Sequence, residues 1–255
     1  MFFIKTKSMK SLYHLSFIFF LFLLLGCQTS KSFSAEAFIE ASIEAHGMNE
    51  FNKKSIEFQF RNYQYSQTHD KQGLIYTRRK NTTPEVLDLL HSKNGFQRTL
   101  ANEKVVLADS IALVYSESVN SVLYFFRLPF SLKDSGAIKT LMDTEQIKGK
   151  SYQKIGVHFT SENGGIDYQD TFRYWFDKEI KTLDYLAYEY LTDAGGIRFR
   201  VAINRRTIEG VVFQDYENYK APKNTSLDDL PKMYEKGELE LLSLIVNDSI
   251  TLIKF

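Results

Sequence analysis

Hydrophobic and polar positions alternate along much of the chain beyond residue 50, which is the pattern of β-strands that bury one face. Ile56–Arg61 shows it plainly, because Ile56, Phe58 and Phe60 fall on one side. Similar short segments recur to the C-terminus, separated by turn residues such as Asn94-Gly95. The predicted strands are 56–61, 74–79, 95–100, 152–159, 168–176, 183–191, 197–203 and 208–213, with a final pair at 239–246 and 250–255.

The segment before these strands has a helical pattern instead. Ala35–His46 carries its apolar residues at helical spacing and follows Ser34, whose hydroxyl can cap the first turn. Gly47 comes directly after it and can adopt the left-handed conformation that ends many helices. We expect a packing helix here.

A second helix is predicted in the middle of the chain. Apolar residues recur at i, i+3, i+4 and i+7 through 119–126, Ser118 is a possible cap, and Pro129 stops the run. A short third helix is predicted over Ala137–Met142. Many short strands with hairpin turns, and no regular strand–helix alternation, indicate an α+β fold: a large curved antiparallel sheet, or half-barrel, packed around a few helices.

The N-terminus has the features of a bacterial lipoprotein precursor. Three lysines precede an apolar run, Leu15–Leu25, that is short for a membrane span, and Gly26-Cys27 completes a lipobox. The prediction is a signal peptide over residues 1–26, a lipidated tether over 27–33 and a single β-rich domain over 34–255. An ordinary signal peptide with a chance cysteine is the alternative. Because Gln28 is not aspartate, the outer membrane is favoured, with the side of the membrane left open.

Charge argues against a nucleic-acid partner. Three of the 32 basic residues and none of the 31 acidic ones lie in residues 1–26, so the rest of the chain holds 29 basic and 31 acidic residues. The basic excess therefore belongs to the targeting segment, and no cationic face is indicated. Cys27 is the only cysteine, which leaves no internal disulfide and makes its acylation the best explanation for the thiol.

Aromatic residues supply the candidate binding surface. Tyr168, Phe172, Tyr174 and Phe176 fall on one face of a predicted strand, and Tyr185 belongs to the next strand. A curved sheet could leave these rings lining a cavity for an acyl chain or another apolar ligand. The alternative, favoured for any single one of these rings, is burial as ordinary core.

Catalytic and metal-binding patterns are absent from the sequence. No nucleotide-binding, serine-hydrolase or zinc motif occurs, and the histidines are scattered, so no catalytic residue, metal ligand or cofactor is predicted. Asp167 and Asp170 are three apart and would point to opposite faces of a strand. Arg198 and Arg200 share a face, for which a salt-bridge ladder with Asp184 or Asp170 on the outer side of the sheet is preferred over an anion site.

Several longer motifs carry a family resemblance. They are Phe126-Arg127-Leu128-Pro129-Phe130, Tyr174-Trp175-Phe176-Asp177-Lys178, Leu183-Asp184-Tyr185-Leu186-Ala187-Tyr188, Gly195-Gly196-Ile197-Arg198-Phe199-Arg200 and Phe213-Gln214-Asp215-Tyr216. Together they resemble a family of Bacteroidota lipoproteins, a resemblance that implies no activity. The order of elements is also similar to that of Lol-type lipoprotein carriers and receptors. That similarity implies a concave aromatic face covered by the helix 119–126, with Phe172, Tyr174, Phe176, Tyr185, Phe199, Val122 and Phe126 as its ligand-binding residues.

Three functions remain open at this point. The first is a membrane-anchored lipoprotein that binds a lipid or a lipoprotein acyl chain without chemistry. The second is a structural or partner-binding lipoprotein with a fully packed core, which predicts no cavity beneath residues 119–126. The third is an enzyme of the envelope that uses acids such as Asp170 or Glu189 on a glycan or lipid, and it requires titratable groups that converge in a pocket.

Overall fold

Two antiparallel sheets of seven strands form the frame of the part of the chain that the structure describes, residues 1–2, 34–160, 168–192 and 194–254 of a computed structural model. The predicted signal peptide, tether and lipidated Cys27, together with Asp167, lie outside those residues. Contacts join residues 34–255 into one unit. The predicted division of the chain into signal peptide, tether and domain stays a prediction.

The first sheet, called the N-terminal sheet below, has the strand order β14-β1-β2-β3-β4-β5-β6. Six of its strands follow one another as hairpins, and the last strand of the chain pairs with β1. The strands are β1 (Lys54–Phe60), β2 (Tyr63–His69), β3 (Leu74–Lys80), β4 (Val86–His91), β5 (Gly95–Leu100), β6 (Glu103–Val105) and β14 (Asp248–Lys254).

The second sheet, called the C-terminal sheet, has the order β13-β12-β11-β10-β9-β8-β7 and is a continuous antiparallel meander. Neither sheet closes on itself, which confirms the predicted α+β class of open antiparallel structure with a few helices. The strands are β7 (Ala137–Ile147), β8 (Lys150–Phe159), β9 (Thr171–Asp177), β10 (Leu183–Tyr190), β11 (Gly196–Ile208), β12 (Val211–Ala221) and β13 (Glu240–Ile245).

Three α-helices accompany the sheets in the described residues: α1 (Ala35–Ala45), α2 (Asp109–Phe126) and α3 (Leu230–Glu235). The prediction of α1 is confirmed in detail, because the Ser34 hydroxyl accepts a hydrogen bond from the Ala37 amide at 3.1 Å. Short 3₁₀ turns occur at Phe51–Lys53, Phe130–Lys133 and Leu227–Asp229.

Other local predictions were wrong. Helix α2 begins almost three turns before the predicted start, and Ser118 lies inside it rather than at its cap. The segment Ala137–Met142 is not a helix but the start of β7, which pairs with β8 from Ala137 to Ile147 through a hairpin at Lys148-Gly149. The final two strands are not partners, since β13 joins the C-terminal sheet and β14 the N-terminal one. Pairing between strands, which local periodicity does not record, decides the two strand cases.

Helix α2 is tied to the N-terminal sheet by a buried charge cluster. Asp88 is only 1% exposed and accepts hydrogen bonds from Arg78 at 2.6 and 2.9 Å and from Arg98 at 2.5 and 2.9 Å. Arg78 also donates to the Ser118 hydroxyl of α2 at 2.6 Å. The carboxylate thereby compensates two guanidinium groups, and one of them holds the helix against β3 and β4.

The main core lies between the sheets and includes both α1 and α2. The ring of Phe126 stacks on Phe58 of β1 at 3.7 Å and on Phe213 of β12 at 5.3 Å, so one side chain of α2 contacts both sheets. A second cluster covers the opposite face of the C-terminal sheet, where Trp175 and Phe199 pack beneath α3 and its preceding turn. The C-terminal sheet is therefore buried on both faces.

The end of α1 meets the β11–β12 turn at very short range. Gly47 has a φ of +65°, and a Cβ added there would lie 1.9 Å from the carbonyl oxygen of Gly210. The same two segments are also joined by a hydrogen bond from the Val212 amide to the His46 carbonyl at 2.9 Å. Glycine at 47 is thus required both by conformation and by space.

We expect Gly47→Ala to lower the free energy of unfolding by about 3 kcal/mol or more, because it adds a backbone collision to left-handed strain. Gly149→Ala is the matched control: it has a φ of +78° but no atom within 4 Å of the added Cβ. The control should lose only about 1–2 kcal/mol. Urea unfolding of both variants measures the difference, and equal losses would contradict the close contact.

Candidate ligand-binding cavity

A cavity of about 1090 Å³ lies among residues of both sheets and α2. The N-terminal sheet contributes apolar and aromatic side chains from β1, β3 and β4: Phe60, Leu74, Tyr76 and Leu90. Helix α2 contributes a face that changes from polar to aromatic toward its C-terminus: Ser116, Glu117, Asn120, Ser121, Val122, Tyr124, Phe125 and Phe126.

The C-terminal sheet forms the remaining wall with one face of its central strands. Strand pairing aligns Tyr174 with Leu186 and Leu186 with Arg200, while Phe172 aligns with Tyr188 and Tyr188 with Arg198. Cross-strand partners project on the same face of a sheet, so the register brings aromatic and basic side chains together on the cavity side. The lining members from this sheet include Phe172, Tyr188, Tyr190, Arg198, Arg200, Tyr216, Asn218 and Ile245.

Aromatic rings make a continuous surface where α2 approaches the C-terminal sheet. Tyr124 lies 6.0 Å from Phe159 and 6.3 Å from Phe172, and Phe125 lies 5.2 Å from Tyr188. Such separations allow favourable tilted and edge contacts between rings. This part of the cavity can accept apolar groups without leaving polar atoms uncovered.

A pair of buried tyrosines closes this aromatic region. The hydroxyls of Tyr124 and Tyr174 are hydrogen-bonded at 2.9 Å. Burial raises the pKa of both phenols well above the ordinary value of about 10, so both remain neutral. Each satisfies a polar atom of the other, which lets two tyrosines occupy positions suited to phenylalanine.

Basic groups without acidic partners lie on the same wall. Arg200 is 8% exposed and donates to the Tyr188 hydroxyl at 2.8 Å, and Arg198 donates to the Tyr190 hydroxyl at 2.6 Å. At the end of α2, Arg127 donates to Tyr76 and to Asn52, and burial lowers its pKa. Among the described residues none of these three arginines forms an ion pair. The cavity therefore has both apolar and positively charged walls, which makes it amphiphilic.

The predicted ligand-binding residues divide into three groups. Val122, Phe126 and Phe172 line the cavity. Tyr174 and Phe176 belong to the same sheet face but are fully buried in the main core and do not line it.

Tyr185 and Phe199 are placed on the opposite face of the sheet, in the cluster under α3. A register irregularity in β10 between Leu183 and Tyr185 causes this outcome: Leu183 pairs with Phe176 on the inner face, whereas Tyr185 pairs with Trp175 on the outer one. Simple alternation puts residues two apart on one side, and a bulge reverses that rule. We therefore do not retain Tyr185 and Phe199 as candidate ligand contacts.

The prediction for Arg198 and Arg200 was also wrong. They lie on the cavity side instead of the outer side, and Asp184 pairs with Arg205 at 2.7 Å instead of joining a ladder with them. Their alternation with Ile197, Phe199 and Val201 was visible in the sequence. Which set faces inward depends on the register with β10 and β12, which the sequence does not state.

Other lining residues were not predicted. Phe60, Leu74, Tyr76 and Leu90 come from strands of the N-terminal sheet that had not been assigned to the site. The polar residues at the start of the α2 face were also missed. Their signal was present, since Ser116, Asn120 and Ser121 interrupt the apolar positions of the helix in the sequence.

Within the described part of the chain, no three His, Cys, Asp or Glu side chains gather as a metal site, and none of its helices is long and apolar enough to cross a membrane. Asp170 lines the cavity, whereas Glu189 does not. The two acids named for a possible enzyme thus do not converge.

The fold and cavity define an open α+β protein with two antiparallel sheets and an internal amphiphilic site. The chain belongs to DUF6503, a family of unknown function whose model matches residues 14–247. No curated protein matches the sequence at a significant level.

Solved structures of similar shape include three bacterial proteins. A LolA superfamily protein from Nitrosomonas europaea has a TM-score of 0.45 at 11% identity, covering 88% of this chain and 96% of its own. A domain from Vibrio parahaemolyticus assigned to outer membrane lipoprotein sorting has a TM-score of 0.42 at 11% identity and covers 79% and 99%. A DUF1329 family protein from Desulfovibrio piger has a TM-score of 0.41 at 9% identity and covers 87% and 93%. At such values the likeness carries no functional inference, which has to come from this chain's own residues.

The separation of core from cavity residues predicts different costs for two phenylalanine truncations. Phe199→Ala should lower the free energy of unfolding by about 3–5 kcal/mol, because it empties a fully buried site. Phe125→Ala removes a half-buried ring that borders an existing cavity, and should cost about half as much. Urea unfolding of the two variants tests this order; a larger loss for Phe125→Ala would contradict it.

Proposed function

We propose that this protein is a lipid-anchored lipoprotein of the bacterial cell envelope that binds an amphiphilic ligand, a lipid or a lipoprotein acyl chain, without chemical conversion. The apolar part of the ligand occupies the cavity between α2 and the two sheets. The single observation that carries the proposal is the cavity itself, with its aromatic walls.

The size and lining of the cavity support a ligand of lipid dimensions. Its volume of about 1090 Å³ is slightly above the range of typical small-molecule pockets, which span about 300–1,000 Å³. Rings from β9, β10 and α2 offer apolar contact, and polar groups occur beside them at defined places. A fully packed scaffold predicted no cavity beneath residues 119–126, yet Val122, Phe125 and Phe126 border one.

Anchoring through Cys27 forms the second part of the proposal. The support is the apolar run, the lipobox and the solitary cysteine of the sequence. A domain held by a lipidated tether of a few residues works close to its membrane, where amphiphiles are concentrated. The outer membrane is the favoured location because Gln28 replaces the aspartate associated with inner-membrane retention.

We expect Val122→Trp to reduce retained ligand severalfold, because the larger ring occupies cavity volume. Leu113→Trp is a matched control on the exposed surface of the same helix and does not border the cavity. Native mass spectrometry of the full chain, released from detergent micelles, compares lipid-sized adducts in both variants and the parent. Adducts that are equal in all three would contradict ligand binding in the cavity.

For the anchor, metabolic labelling with an alkyne analogue of palmitate should mark the parent chain. Cys27→Ser should abolish the label, since Cys27 is the only thiol in the sequence. Immunoblotting controls for expression. Label that persists in Cys27→Ser would show that the lipid is attached to another residue, and it would contradict anchoring through Cys27.

A further inference from the structure

We infer that the ligand of this cavity carries an anionic head group, a carboxylate or a phosphate, that is bound by Arg200 with Asn218 beside it. The inference rests on the proposed function and narrows it from any amphiphile to an anionic one. The observation behind it is a buried cation that lacks an acidic partner at the cavity wall.

The polar contacts of Arg200 leave part of its guanidinium uncompensated. One terminal nitrogen donates to the Tyr188 hydroxyl at 2.8 Å, and the group lies over the rings of Phe125 and Tyr188, at 3.9 and 5.1 Å from their centroids. Within the described residues its Nε has no hydrogen-bond partner but is shielded from solvent, whereas the other terminal nitrogen has no partner there and is not fully shielded. A guanidinium has five N–H donors and no acceptor, so these contacts leave donors open.

Arg78 shows how this chain compensates a buried arginine elsewhere. Arg78 is 7% exposed, close to the value for Arg200, and Asp88 accepts two of its hydrogen bonds. No carboxylate among the described residues pairs with Arg200. Because burial of an uncompensated charge is costly, an anion supplied from outside the chain is the natural complement.

Asn218 makes the position specific. It is the cross-strand partner of Arg200 in the β11–β12 pair, and it lines the same cavity. Its amide nitrogen donates to the Ser243 hydroxyl at 3.2 Å, while its amide oxygen is buried without a partner. The Arg200 guanidinium and the Asn218 amide thus lie side by side on the cavity wall, and each has a hydrogen-bonding atom that the described residues leave unpaired.

The groups around Arg200 also favour an anionic ligand over a cationic one. Arg198, two residues along β11, borders the cavity and contacts the Tyr190 hydroxyl and its own strand's Ile197 carbonyl. Three acids also line the cavity, Glu117, Asp134 and Asp170, and none forms an ion pair with Arg198 or Arg200 in the described residues. The carboxylate of Asp134 accepts from the Gly136 amide at 2.9 Å. The aromatic wall of Phe125 and Tyr188 next to Arg200 places apolar contact and positive charge side by side.

The test compares head groups on one chain length. Palmitate and hexadecan-1-ol are titrated into the full chain in detergent micelles, with native mass spectrometry counting bound ligand, and inorganic phosphate alone is the third probe. Variants are Arg200→Gln and Arg200→Lys. Arg79→Gln is the control for charge, since Arg79 is exposed, pairs with Glu85 and does not border the cavity.

We expect the parent chain to prefer palmitate over the alcohol by on the order of tenfold, the value of one charge-assisted hydrogen-bonded contact. Arg200→Gln should lose the preference while it keeps its affinity for hexadecan-1-ol. Arg200→Lys should retain part of the preference for palmitate, because it keeps the positive charge. Arg79→Gln should retain the whole preference. Unchanged alcohol binding also shows that Arg200→Gln remains folded.

Other outcomes separate the inference from the proposed function. If the parent chain binds both ligands equally, the anionic head group is wrong but ligand binding stands. An equal loss of both ligands in Arg200→Gln would assign Arg200 a structural role and overturn the inference. Phosphate that binds as tightly as palmitate would indicate a free-anion site instead of a head-group site. Binding of neither amphiphile by the parent chain would overturn both proposals.

Discussion

The position of α2 between the two sheets is the constraint on which the rest of the structure depends. Phe126, at its C-terminal end, stacks on rings of both sheets, and the Asp88 cluster holds the middle of the helix to β3 and β4 through Ser118. Because the helix is fixed at these points, its remaining face cannot move in to fill the space above the C-terminal sheet. The cavity is a consequence of that separation, and its lining is made of whatever α2 and the inner strand faces present.

Charge is handled differently on the two sides of this space. In the N-terminal sheet, a single buried carboxylate serves two guanidinium groups, and the arrangement stabilises the helix. In the C-terminal sheet, Arg198 and Arg200 contact tyrosine hydroxyls and ring faces. Tyrosine can accept a hydrogen bond and offer a π face, but it carries no compensating charge at neutral pH. The contrast between the Asp88 cluster and these two arginines therefore points to the inner face of the C-terminal sheet as a surface that meets a ligand.

The candidate site was predictable in part. Val122 and Phe126 follow from helical spacing once a helix is assumed to cover the sheet, and Phe172 follows from alternation along β9. The predictions for Tyr185 and Phe199 were wrong because of a register irregularity in β10 after Leu183. Beyond it, the residues of β10 that alternation assigns to the inner face point to the outer face. The same inversion turned Arg198 and Arg200 from an expected outer ladder into cavity residues. Alternation defines two faces for each strand, but it contains no information about which face of a neighbour each one joins.

Elements that depend on local preferences could be predicted from the sequence. The cap of Ser34 and the stop at Gly47 define α1, alternating residues define most strands, and turn residues separate them, because these preferences act within a few residues. Three features became known only from the folded structure: the strands form two sheets, residues 137–142 belong to a strand, and β13 and β14 lie in different sheets. It also decided that a space remains under α2 with an uncompensated arginine on its wall. These features depend on hydrogen bonds and packing between segments far apart in the chain, where long-range pairing outweighs local preference.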